Sequence, residues 1–502
     1  MNLLSLLLFI PIVTALGILI FKKENVIKLI ALLGSITQLG YAIWLTLFYM
    51  SLRKAGVTGD MLFQTSFAWF KPLHIFYSVG VDGISLTMIL LTAMVVVAGI
   101  LVSWNIHTQV KEFFFLILLL CIGAFGFFIS TDLFMMFFFL ELAVIPKYLL
   151  IGMWGSGKKE YSAMKLALML MFGSALVFLG IVALYYVAGV YSGAPTWDLQ
   201  QIAKMHLPVE SQRILYLLIF TGFGVFTAMF PFHTWAPDGH SSAPTAASMF
   251  LAGISMKLGG YGCLRVATYL LPEAAKELSW IFIILASIAI IYGAFTTMMQ
   301  KDLKYMNAYS SISHCGFVIL GIAMLTKVAI MGAVMQMVSH GIMTALFFAA
   351  IGMIYDRAHT RQANELGGML KQVPFIGTAF IIAGLTSLGL PGFSGFVAEM
   401  TVFVGSWERT GIFYRVATIL ACASIVVTAV YILRAVGLAI WGSVKNKEYL
   451  KFKDANWSER AASILLVAGI VFIGFFPFWL IQLIQNDSTT IFNKIYSLAA
   501  AI

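Results

Sequence analysis

Residues 220–250 read "FTGFGVFTAMFPFHTWAPDGHSSAPTAASMF". The stretch holds three prolines, three glycines, two histidines and an aspartate, between two strongly apolar runs. Proline removes an amide donor and obstructs the preceding turn, so Pro231, Pro237 and Pro244 interrupt a helix. The flanking runs show where that interruption lies. Of 502 residues, 61% are hydrophobic and only 10% charged, against about 25% charged in soluble domains; mean hydropathy is +0.96. The chain reads as an all-α polytopic membrane protein, because outer-membrane-type alternating strands are absent and only helices or closed barrels cross a bilayer.

A spanning helix needs about 20 apolar residues. Fourteen candidate spans follow: roughly 2–21, 28–50, 82–104, 113–130, 133–153, 163–189, 212–233, 244–270, 279–299, 305–325, 328–354, 374–404, 412–440 and 461–483. The first is not expected to be a cleaved signal, since Lys22 and Lys23 follow it and no cationic residue precedes it. Stretches 51–81, 190–211, 355–373 and 441–460 are expected as surface loops. Loops after odd-numbered spans carry 18 Lys and Arg, those after even-numbered spans 11. By the positive-inside rule the first set is cytoplasmic and both termini lie outside, the periplasmic side of a bacterial inner membrane. The basic balance therefore speaks to orientation, not nucleic acid. Cys121, Cys263, Cys315 and Cys422 form no CxxC and read as small core residues, so no metal site is expected. No dinucleotide fingerprint or phosphate loop occurs, so no cofactor is expected on this chain.

A second interrupted span is "LTSLGLPGFSGFVAEM" (385–400), with Gly389, Pro391, Gly392 and Gly395. Backbone freed inside a membrane must be buried in protein or line a hydrated cavity. A matched pair of broken helices in two halves of a chain points to an internal repeat and a transport path. The breaks fall in spans seven and twelve, so two five-helix repeats, spans 4–8 and 9–13, would place them in equivalent positions. The chain then divides into 1–111 (helices 1–3), 112–270 (first repeat), 271–440 (second repeat) and 441–502 (loop and helix 14).

An ionisable group at the bilayer centre costs roughly 2.5–3.5 kcal/mol on insertion scales, so each needs an explanation. Glu141 sits in "FMMFFFLELAVIPKYLLIG", with no polar neighbour before it. It is either a structural carboxylate or a proton carrier. Lys147 lies six residues on; on a regular helix the two diverge by about 120° and are about 9 Å apart along the axis, so they do not pair directly. Lys147 either snorkels or serves a buried site. Lys257 is mid-span beside Gly259 and Gly260, where helices approach closely. Glu399 directly follows the second break. His314 and His340 occupy consecutive spans and suit a relay. His233 and His240 flank the first break, facing a hydrated opening or capping a helix end. Asp82 reads as a helix cap; Lys165, Arg265, Asp302 and Lys304 read as interface anchors.

"FPFHTWAPDGHSSAPTAASMFLAGISMKLGGYG" (230–262) resembles the signature of the antiporter-like subunits of respiratory complex I. Supporting motifs are "VGVDGISL" (79–86), "LELAVIPKYLLIGMWG" (140–155), "DLKYMNAYSSISHCGF" (302–317), "VMQMVSHGIMTALFF" (334–348) and "GLPGFSGFVAEM" (389–400). The "HSSAPTAAS" run and Glu399 look like the subunit M (subunit 4) branch, whose sisters carry Lys at the second position. The resemblance implies fourteen helices in two inverted five-helix repeats with helices 7 and 12 broken. It implies a translocase subunit of NADH:quinone oxidoreductase that moves one proton per cycle. Electron transfer, with FMN, iron–sulfur clusters and quinone, would belong to partner subunits. The partners implied are the L and N types, the lateral helix of L, and lipid. Carried over by position, Glu141, Lys257 and Glu399 are the helix-5, helix-8 and helix-12 proton carriers, and His314 and His340 line the axis between them. One position departs: the family's helix-7 lysine falls at Phe226, while Lys147 stands where the family has an uncharged residue. Lys147 is accordingly expected to supply the missing positive charge. A subunit of a multisubunit Na⁺/H⁺ antiporter and a non-conducting spacer remain alternative readings.

Overall fold

A computed structural model describes residues 2–497. Each of the fourteen apolar segments forms a helix or a pair of helix segments. Helices α1 (Leu3–Ile20) and α2 (Glu24–Lys54) are less than half buried along their most apolar stretches. α3 (Gly83–Val102) and α4 (Val110–Ile129) are largely buried. The fifth span is split at Ala143 into α5 (Leu133–Leu142) and α6 (Val144–Trp154). α7 (Lys159–Ser192) is followed by the short α8 (Leu199–Lys204).

The seventh span is α9 (Val209–Phe226), which stops before Pro231 and resumes as α10 (Trp235–Ser242). The eighth is built from α11 (Thr245–Phe250) and α12 (Met256–Gly262), joined by a π-helical turn at Leu251–Ser255 and continued by another at Cys263–Thr268. Then come α13 (Pro272–Met299), α14 (Leu303–Ala323), α15 (Lys327–Ala358) and the single turn α16 (Met369–Gln372). The twelfth span is broken into α17 (Pro374–Ser387) and α18 (Ser394–Glu408), and α19 (Ile412–Ala435) and α20 (Trp457–Phe475) complete the membrane part. Eleven helices are long and apolar enough to cross a bilayer among the described residues. The eighth and twelfth spans fall below that length as separate segments, and α14 carries Asn307, Ser310, Ser311, Ser313 and His314 on a spanning helix. α15 is enclosed along its most apolar stretch and forms the axis of the bundle.

Three expectations are corrected. Residues 62–81, expected as loop, form an antiparallel hairpin of β1 (Leu62–Phe70) and β2 (Ile75–Val81). Asp132 ties it to the bundle: it caps α5 through Met135 N at 3.0 Å and accepts from Phe76 N at 3.1 Å. The last span is α20 alone, because Pro477 starts a separate helix, α21 (Phe478–Ser497), whose Leu480, Leu483, Ile484, Ile491 and Ile495 are buried. α21 packs on α3, α13 and α15 on the hairpin face. Two of the residues read as interface anchors are instead internal, Arg265 at 5% and Lys304 at 4% exposed, and the other two are half-buried in ion pairs. Lys165 pairs with Asp238 at 2.6 Å, and Asp302 with Arg361 at 3.2 Å. Arg265 pairs with Asp82 instead, and Lys304 donates to the Ala243 carbonyl, so each buried cation is met by a protein acceptor.

Candidate functional site

The π turn at Leu251–Ser255 widens the backbone one residue beyond an α turn, and such turns concentrate at functional sites. It places the Ala252 carbonyl opposite the Lys257 side chain, whose Nζ donates to it. Lys257 is 1% exposed, and its Nζ also lies 2.7 Å from His340 Nδ1 on α15. Cys315 Sγ is 3.9 Å from the same nitrogen. The His340 ring stacks at 5.4 Å on His314 of α14, and its Nε2 has no partner.

His314 collects the next groups. Its Nε2 is 3.0 Å from Ser387 Oγ at the end of α17. Its Nδ1 is 3.3 Å from Gln336 Nε2 and 3.3 Å from Glu399 Oε1. The break between α17 and α18 makes this possible, because Ser387 and Glu399 reach His314 from its two sides. Gly389 carries the turn at φ +72°, a conformation other residues adopt only at a cost. A Cβ there would stand 2.6 Å from Glu399 Oε2. Thus Lys257, His340, His314 and Glu399 form one continuous buried row spanning four helices.

The first half is built differently. Glu141, near the end of α5, accepts from Ser174 of α7. Pro146 in α6 follows the split at Ala143. Lys147 is 1% exposed while its neighbours Ile145 and Tyr148 face outward, which excludes snorkelling. Its Nζ has no hydrogen-bond partner, and no ion pair within 4.0 Å joins it to Glu141 among the described residues. Phe226 is the last residue of α9 and is 1% exposed, so the helix-7 position is filled with packed carbon.

Neither histidine of the first break caps a helix. His233 is buried against Tyr292, ring to ring 4.9 Å, with Nδ1 unpartnered. His240 is fully buried on Phe348 at 5.2 Å, and neither ring nitrogen has a partner. α10 is pinned from outside: Lys304 Nζ donates to Ala243 O at 2.7 Å, Arg361 to Ser241 O at 2.7 Å, and Tyr305 OH to Asp238 at 3.2 Å. Lys304 and Arg361 were not legible as site residues, because what they hold on α10 are backbone carbonyls that no side-chain motif encodes.

The arrangement can hold a proton at several buried stations and pass it between them. Among the described residues no cluster of His, Cys, Asp and Glu is arranged to hold a metal.

Known proteins share this architecture. Residues 130–428 match the family described as NADH:quinone oxidoreductase/Mrp antiporter, TM. NADH-quinone oxidoreductase subunit M of Rickettsia prowazekii is 36% identical over 484 residues, covering 94% of this chain and 95% of that one. NAD(P)H-quinone oxidoreductase chain 4 2 of Microcystis aeruginosa is 35% identical over 466 residues, covering 87% and 84%. A chain of respiratory complex I from Thermus thermophilus superposes with a TM-score of 0.88 at 23% identity, covering 98% of this chain and 99% of that one. A chain of the Mrp complex from Dietzia sp. does so at 0.84 and 17% identity, covering 98% of each.

Proposed function

This chain belongs to the NADH:quinone oxidoreductase/Mrp antiporter membrane family, and from that premise we propose that it is the proton-translocating, antiporter-like subunit M of respiratory complex I. The observation that carries the reading is the row Lys257–His340–His314–Glu399. Lys257 Nζ can give a proton to His340 Nδ1 across 2.7 Å. The stacked ring of His314 is next. At His314 one nitrogen has a partner for each protonation state: its lone pair can accept from Gln336, and its N–H can donate to Glu399. A nitrogen with a partner for both its donor and its acceptor form can serve as a station on a relay.

Glu141 would serve the input half, with Lys147 supplying the cation that Phe226 does not. Their separation beyond 4.0 Å means that Lys147 acts through the field in a low-dielectric interior, not through contact. His233, with Nδ1 unpartnered, and His240, with both ring nitrogens unpartnered, lie at the α9–α10 break, the side from which water would reach that half in this reading.

The reading implies partner subunits of the L and N types, the lateral helix of L, and lipid. FMN, iron–sulfur clusters and quinone would sit in those and more distant subunits. It also implies a bacterial inner membrane with both termini on the periplasmic side. A multisubunit Na⁺/H⁺ antiporter is the competing assembly, because the Mrp likeness covers the same fold. Purification of the tagged chain from native membranes separates the two. Flavin and iron–sulfur absorbance with NADH:quinone activity is expected; a complex lacking both, with Na⁺-dependent exchange, would move the assignment to the antiporter.

A further inference from the structure

A second line of polar groups leaves Lys257 in another direction. Lys257 and Tyr261 are spaced by four on α12, and residues so spaced are neighbours on one helix face; Arg265 follows on the π-helical turn Cys263–Thr268. Tyr261 OH is 2.8 Å from Ser85 Oγ on α3. Both residues are buried, and the Tyr261 ring meets Phe127 and Phe128 edge-on at 5.8 and 5.2 Å. The hydroxyl pair thus sits in an aromatic collar. Beyond it Arg265 pairs with Asp82, the N-cap of α3. Asp487 of α21 accepts from Gly83 N at 2.6 Å.

This cluster opens on a cavity. Asp60, Asp82, Gln200, Arg265, Tyr269 and Asp487 line about 10 Å³, the space of about one water. Arg265 is 5% exposed and its Nε has no partner, so a buried donor is available to whatever occupies that space. Burial pushes the Asp487 carboxyl up to about 6 against the lowering effect of Arg265.

We propose that the Ser85–Tyr261 hydroxyl pair and the Asp82–Arg265–Asp487 cluster form a proton branch joining Lys257 to the hairpin face of the membrane. The inference rests on the translocation reading above. By the loop-charge asymmetry that face is the outer one, so the branch releases protons. The proton leaves Nζ, is relayed through the hydroxyl pair, in which either oxygen can donate, and reaches a carboxylate before joining water. Lys257 ends neutral and the solution gains the proton. The aromatic collar keeps the branch dry between transfers, and the Arg265 cation opposes permanent proton occupancy of the cluster. Asp487 is the carboxylate at that exit, carried by a helix that lies outside the spanning bundle.

The test uses the intact complex in inverted membrane vesicles. Tyr261→Phe keeps the ring in its collar and removes only the hydroxyl. Assembly on native gels is expected to be unchanged. Protons moved per electron should fall, or coupled turnover should drop by about tenfold, as expected when a path loses one strong hydrogen bond. Ser85→Ala, which breaks the same pair from the α3 side, decides the case if Tyr261→Phe does not assemble. Asp487→Asn should give the same loss of ratio, whereas a merely structural clasp would lower the amount of complex and leave the ratio intact. Wild-type ratio and turnover in these variants, with both lost in Lys257→Ala, would overturn the branch alone. The same wild-type values in Lys257→Ala as well would overturn the translocation reading itself.

Discussion

Replacing Glu399 with glutamine changes one charge and almost no volume. Glu399 is 3% exposed and its Oε1 lies 3.3 Å from His314 Nδ1. At an effective dielectric of about 20, unit charges at that separation attract by about 5 kcal/mol. Desolvation of two buried ions offsets much of this. A loss of only about 1.4 kcal/mol of that attraction from the transfer step is a tenfold change in rate. Glu399→Gln should therefore slow proton transfer through the second half by about tenfold or more. Glu399→Asp, which keeps the charge on a shorter arm, should be intermediate. The assay is quinone reduction by native vesicles, with proton uptake followed by a pH-sensitive dye and assembly followed by native electrophoresis. A Glu399→Gln complex that assembles and pumps at the wild-type rate would refute the assignment of Glu399 as the partner that loads His314.

Three further outcomes are expected. Lys147→Met should lower proton pumping by removing the cation whose field acts on Glu141; an assembled complex that pumps at the wild-type level would show that Lys147 carries no such role. Gly389→Ala strains a φ of +72° and drives a methyl toward Glu399, so it should impair turnover much as Glu399→Gln does, measured in the same vesicles. Asp132 is raised to about 6, mainly by burial. An acid raised on folding stabilises below its unfolded value and loses that contribution as pH rises through the folded one. The midpoint of the wild type should thus decline between about pH 4 and 6, and Asp132→Asn should flatten that decline while keeping the hairpin docked.

The sequence reading located what hydropathy and backbone chemistry govern. All fourteen apolar segments are helical, and prolines and glycines marked both breaks, because loss of an amide donor is a local property. It missed the hairpin and α21 for the same reason: both are amphipathic surface elements, and averaging over a membrane-length window erases them. Phe67 and Trp69 are exposed on β1, so no apolar–polar alternation announced that strand. Charged side chains were legible only one at a time. Lys147 was ambiguous because proximity to a span end says nothing of which way α6 faces. Asp487 meets the backbone of Gly83, 404 residues earlier in the chain, and no spacing rule covers such a pair. The two π turns around Lys257 have no sequence mark, yet one of them supplies its carbonyl partner.

The central claim is that this chain moves protons along its buried row. The most direct measurement is the number of protons translocated per electron by the fully assembled complex carrying Lys257→Ala, in vesicles with matched quinone-reductase turnover. The account predicts a lower ratio than wild type, or turnover too slow to match by about tenfold. An assembled Lys257→Ala complex with the wild-type ratio at the wild-type rate would contradict it.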